Sequence, residues 1–139
     1  MRLSNLAIIN ILNCFSKFPL ATGKAGYAIA RNKRLLSNEL KDFEEARNAL
    51  LQKYGTKTKD GNYTIDPNKS ENAEIFNKEI SEVLGIEIDI EPWQVFRDEW
   101  EIPYSDSASV NDYDLLETFL VKERPVEETP KQKTKAKKN

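Results

Sequence analysis

The chain has 139 residues, 39% of them hydrophobic and 32% charged, with a formal net charge of −2. This length supports one small domain with a real core, and the composition is that of a soluble globular protein rather than a membrane protein. One cysteine, Cys14, and no histidine exclude an intrachain disulfide, a zinc site of the usual Cys/His kind within one chain, and Ser-His-Asp or Cys-His catalysis.

The opening stretch, "MRLSNLAIINILNCFSKF", imitates an export signal, with an early Arg2 and an apolar run. Asn10 and Asn13 interrupt that run and no small-x-small site follows closely, so a cytoplasmic chain is expected. Ile8, Ile11, Leu12 and Phe15 stand at i, i+3, i+4 and i+7, which predicts an amphipathic helix over residues 4–17 with Ser4 as its cap. Cys14 lies beside the stripe and reads as a small buried hydrophobe. Pro19 starts the next element, since proline suits a first helical turn.

Leu36, Leu40, Phe43, Arg47, Leu50 and Tyr54 are spaced by 4, 3, 4, 3 and 4, a seam of near-heptad period. They predict one long helix of about 45–50 Å, ended by a left-handed Gly55, with the first helix folded back along it as a hairpin. Gly23 and Gly26 weaken the start of this helix. Asp60-Gly61 is a favoured two-residue turn, and Tyr63 and Ile65 alternate with polar neighbours, so a short β-hairpin is expected. Its expected sheet partner is "GIEIDIEP", where Ile86, Ile88 and Ile90 alternate with Glu87, Asp89 and Glu91.

Between them, Phe76, Ile80, Val83 and Leu84 give a helical stripe, with Asn68 and Glu71 resembling a capping box and Gly85 as the stop. Trp93, Phe96 and Trp100 fall on an expected helical turn after Pro92. Leu115, Leu116, Phe119 and Leu120 mark the inward face of a last helix. Residues 124–139 form a basic tail of the composition of disordered segments, following a compact domain over residues 1–123. The fold expected is α+β and predominantly helical, a long helical hairpin with a small antiparallel sheet of two or three strands.

Charge is spread unevenly. Residues 1–70 balance at +6, residues 71–123 at −12 and residues 124–139 at +4. Such asymmetry serves partner steering or self-association. "ATGKAG" lacks the first glycine and the Ser/Thr of a phosphate loop, and "DPNKSENAEIFN" lacks the turn glycine and final glutamate of a calcium loop. The carboxylates Glu87, Asp89 and Glu91 follow from strand alternation alone. No cofactor, metal or catalytic residue is therefore expected. The basic set Lys24, Arg31, Lys33 and Arg34 is the candidate nucleic-acid surface. The long seam and the aromatics Trp93, Phe96, Trp100 and Tyr104 are the candidate protein-contact surface.

The order of these pieces resembles a family of short proteins encoded in tailed-phage and prophage genomes. The matching residues are Asn32, Leu36, Glu44, Arg47, Leu50, Lys53 and Tyr54, with "KDGNYTI", "FNKEISEVLGIEIDI" and "DLLETFLV" after them. The likeness covers about residues 3–121, and Gly23 and Gly26 depart from it. It implies a phage origin and an accessory or assembly role in the host bacterial cytoplasm or the virion, and carries no established activity. The function expected is thus non-enzymatic protein–protein interaction, with a phage or host protein or a second copy. Nucleic-acid binding is the alternative, and no membrane partner is expected.

Overall fold

The computed structural model describes residues 1–66 and 68–125. The first strand, β1 (Arg2–Ser4), leads directly into α1 (Asn5–Phe15). Ser4 caps that helix as the sequence suggests, its Oγ accepting from the Ala7 N–H at 3.0 Å. Ile8, Ile11, Cys14 and Phe15 put one face of α1 into the core, none of them more than 4% exposed. Each aliphatic or aromatic side chain buried this completely contributes about 1.5–3 kcal/mol relative to exposure.

The second helix, α2 (Gly23–Glu39), begins four residues later than Pro19, which lies in the turn after α1. The two glycines that weaken its start have steric reasons to be there. Gly23 has φ 64, and a Cβ on Gly26 would lie 2.6 Å from the Ala21 carbonyl oxygen.

The expected continuous helix is instead two, α2 and α3 (Lys41–Tyr54), joined at Leu40. Backbone bonding runs on either side of the joint: Leu40 N–H donates to Leu36 O at 3.0 Å, and Glu44 N–H to Leu40 O at 2.9 Å. Ser37 and Asn38 are weak helix formers before the joint. Asp42 and Glu44 suit the positive end of a restarted helix after it. The two halves then part company. α2 packs on α1 and α5 (Val110–Leu120), whereas α3 packs on α4 (Ser70–Leu84) and on the hairpin of β2 (Thr56–Lys57) and β3 (Tyr63–Thr64). No single helix therefore forms a long hairpin with α1. Gly55 closes α3 in an extended conformation, φ −92 and ψ 174, not the left-handed one expected.

The β-hairpin forms where expected, but not on a two-residue turn: Lys57 stands opposite Tyr63 and the Thr58 N–H donates to Asn62 O at 2.7 Å, so Lys59, Asp60 and Gly61 make the loop, with Gly61 at φ 90. Its expected partner went elsewhere. β4 (Glu87–Asp89) pairs antiparallel with β1, Leu3 opposite Ile88. Arg2 adds a cross-strand contact, reaching Glu87 and Asp89 at 3.3 Å each across the pair. A third pairing joins β5 (Val95–Phe96) and β6 (Val121–Lys122) in parallel. The fold is thus α+β and predominantly helical, and among the described residues its strands form three separate two-stranded pairings, two antiparallel and one parallel, rather than one joined sheet. β5 occupies the start of the turn expected to be helical, and a 3-10 turn follows at Arg97–Glu99. Asn68 does not cap α4; its own N–H donates to Asp66 Oδ1 at 2.9 Å, and the helix starts after Lys69.

One core joins these elements: Ile8, Ile11 and Phe15 of α1, Leu36 of α2, Phe43 of α3, Ile90, Val95, and Leu116, Phe119 and Leu120 of α5. α4 contributes half-buried side chains, among them Ile80, Val83 and Leu84. Among the described residues no helix is long and apolar enough to cross a membrane. Arg124, placed in the tail by its sequence, is held to the fold by Asp98 at 2.7 Å and stacks 4.1 Å from the centre of the Phe96 ring. The rest of the expected tail, residues 126–139, lies outside the described residues.

Candidate functional site

Along α2, Tyr27, Arg31, Arg34 and Asn38 recur at i, i+4, i+7 and i+11, so they share one face. The facing wall is the extended stretch Glu91, Pro92 and Trp93 between β4 and β5. Between the walls lies an open groove of about 670 Å³ with Leu35 also lining it.

What fixes this groove is Asn32. Its side chain is fully buried, at 0% exposure, within the stripe Ala25, Ala28, Asn32 and Leu36. Its Nδ2 donates to Ala28 O at 2.7 Å and to Trp93 O at 2.8 Å, while its Oδ1 accepts from Trp93 N–H at 3.0 Å. One side-chain amide thus satisfies both backbone groups of Trp93, which would otherwise be costly to leave unpaired. Trp93 is held in place without burying its ring. It remains 36% exposed and meets Tyr27, 52% exposed, edge to face at 4.8 Å. Arg31 Nη1 donates to the Tyr27 hydroxyl at 3.2 Å. Among the described residues neither Arg31 nor Arg34 pairs with a carboxylate.

The structure separates the other candidates. Leu36, Leu40 and Phe43 are 0%, 6% and 5% exposed and belong to the chain's own core, so this part of the seam offers no surface. Leu50 and Tyr54 are half-buried on α3, and the Tyr54 hydroxyl donates to Glu79 of α4 at 2.5 Å. Arg47 is exposed and lies 6.0 Å from the centre of the Phe43 ring. Phe96 is covered by Lys122 and Arg124, at 4.5 and 4.1 Å from its ring centre, and Trp100 packs half-buried against the core. Of the basic set, Lys24 is engaged by Glu99. Lys33 faces a different groove, beside Leu12, Phe15 and Ile29. Of the candidates, Arg31, Arg34 and Trp93 line this groove together, while Lys24 and Phe96 line a neighbouring one that Trp93 also borders.

Tyr27, Asn32, Asn38 and Pro92 were not singled out from the sequence as parts of this site. The helical spacing of Tyr27, Arg31, Arg34 and Asn38 is the signal that could have found the face. A lone Asn in a buried stripe is the signal for a polar tie.

The groove's arginines and aromatic wall are suited to recognition. A guanidinium stays protonated and cannot serve as a base, but it grips a carboxylate or phosphate with two parallel hydrogen bonds. A fixed indole offers an apolar wall beside it. Comparison of the chain with protein-family models, with curated proteins and with solved structures found no match.

Proposed function

We propose that the chain is a non-enzymatic accessory protein of a tailed phage or prophage that acts by protein–protein contact. Its contact surface is the face formed by Tyr27, Arg31, Arg34 and Trp93, and its partner is a phage or host protein or a second copy of the chain. The phage origin rests on the sequence resemblance over residues 3–121, and with it a setting in the host cytoplasm or the virion. The observation that carries the contact reading is the Asn32 tie. A buried amide is spent on holding an exposed tryptophan beside two arginines that have no carboxylate partner among the described residues. Trp, Tyr and Arg are the residues enriched where interfaces concentrate their binding energy, and a preordered anchor loses less entropy on binding.

The nucleic-acid reading draws on the same two arginines together with Lys33. It is weakened by the diversion of Lys24 to Glu99 and by the carboxylate of Glu91, which lines the groove itself. Affinity capture from infected-cell lysate separates the two. The contact reading expects a specific protein that survives nuclease and high salt and is lost when Arg31 and Arg34 are both changed to Glu. Capture of nucleic acid alone, released by salt, would reverse the choice.

A further inference from the structure

We infer that the groove takes an extended acidic segment of the partner protein, with carboxylates two residues apart on Arg31 and Arg34 and an apolar side chain against Trp93 and Pro92. This rests on the protein-contact reading above and adds to it the chemistry of the partner. The length of the groove comes first. Its α2 wall runs from Arg31 to Asn38, and its volume is about 670 Å³. At 1.5 Å per residue that wall is roughly 11 Å long, the span of about three residues of an extended chain.

Spacing comes second. Arg31 and Arg34 are one helical turn apart, so their Cβ atoms stand about 5–6 Å from each other. In an extended chain, side chains on the same side recur every second residue, about 6.5 Å apart. Two acidic residues with one residue between them therefore meet both guanidinium groups at once. Asn38, at the end of the same face, carries an amide able both to donate to and to accept from a peptide backbone. Leu35 and the Pro92–Trp93 wall supply apolar surface.

Charge comes third, and it favours a peptide over a nucleic acid. Glu91 lines the groove opposite the arginines, whereas Glu87 and Asp89 are paired with Arg2. A polyphosphate backbone carries charge at every unit and would set a phosphate against Glu91. A peptide carries charge only where its sequence places it, and the position facing Glu91 is expected to be neutral or basic.

The test is fluorescence anisotropy on the full chain with three labelled probes at low salt. One is an acetylated and amidated Leu-Pro-Glu-Thr-Glu peptide, the second the same peptide with Gln for both Glu, and the third a ten-nucleotide oligothymidylate. The inference expects the acidic peptide to bind at least tenfold more tightly than either of the others, and to lose at least tenfold on Arg31→Ala with Arg34→Ala. Both side chains are exposed, so the variant should fold, and an unchanged far-ultraviolet spectrum checks this. Equal binding of the acidic and Gln peptides, tighter binding of the oligothymidylate, or no binding of the acidic peptide overturns the inference. If the acidic peptide fails while lysate capture still depends on Arg31 and Arg34, the partner chemistry is wrong and the contact reading stands. If capture is also indifferent to the arginines, both fall.

Discussion

At the scale of the residue, Asn32 and Cys14 mark the two ends of what a sequence discloses. Cys14 was readable as a buried hydrophobe because its neighbours along α1 already define the apolar face. Burial, with Asp112 nearby, pushes its thiol up to about 11. The thiolate is the reactive form, so the folded chain should resist alkylation at pH 8 and react only on unfolding; prompt labelling of the native protein would contradict the burial. Asn32 was not readable as a tie, because its partner is the backbone of Trp93, 61 residues away. Replacing Asn32 with Leu leaves the N–H and C=O of Trp93 unpaired and should cost about 2 kcal/mol. Hydrogen exchange reads this locally: the Trp93 amide is expected to be protected in the native chain and to exchange rapidly in the variant.

At the scale of the element, what is local was legible and what is distant was not. The α1 stripe with its Ser4 cap, the Asp60-Gly61 hairpin and the inward face of α5 are each specified within a dozen residues. β4 leaves its alternation in the sequence, but its partner β1 and the paired β5 and β6 are strands of two or three residues, too short to leave one. The seam from Leu36 to Tyr54 predicts one helix because its spacing passes through Leu40 without a break. The fold divides there because the two halves pack on different neighbours. Leu40, 6% exposed, is thereby a core residue and not an interface residue. Leu40→Glu should destabilise the chain by about 4 kcal/mol, whereas Leu50→Glu, at a half-buried site, should cost less than half as much. Urea midpoints of the two variants decide this, and equal midpoints would contradict the division. The N-terminus of α5 gives a smaller prediction. Ser109 and Asp112 form a reciprocal capping box, so Ser109→Ala should cost about 1 kcal/mol in the same measurement.

At the scale of the whole molecule, the acidic second half is knitted to scattered basic groups. Arg97 meets Glu123 at 2.7 Å and Glu117 at 3.3 Å, Arg124 meets Asp98, and Lys17 meets Asp112 at 3.1 Å. The hydrogen bond from Arg124 holds the Asp98 carboxyl below its usual range, and the Ser109 N–H with Lys17 does the same for Asp112. A carboxyl lowered in the folded state stabilises the fold above its unfolded pKa, and that contribution is lost as pH falls through the folded one. The thermal midpoint should therefore stay flat from neutral pH down to about pH 5 and drop below about pH 4, where carboxyls protonate. One molar salt should shrink the drop, since these pairs are exposed and screened. The charge asymmetry seen in the sequence is thus partly consumed inside the fold, while Arg31 and Arg34 remain without such partners among the described residues.

On the reading proposed above, this remaining face is where the chain meets another protein. Site-specific photo-crosslinking in infected-cell lysate tests that contact, with benzoylphenylalanine placed at Arg34 in one version and at the exposed Glu45 of α3 in another. A discrete, nuclease-resistant protein adduct is expected from position 34 and none from position 45. Adducts from position 45 alone, or equal adducts from both, would overturn the contact reading.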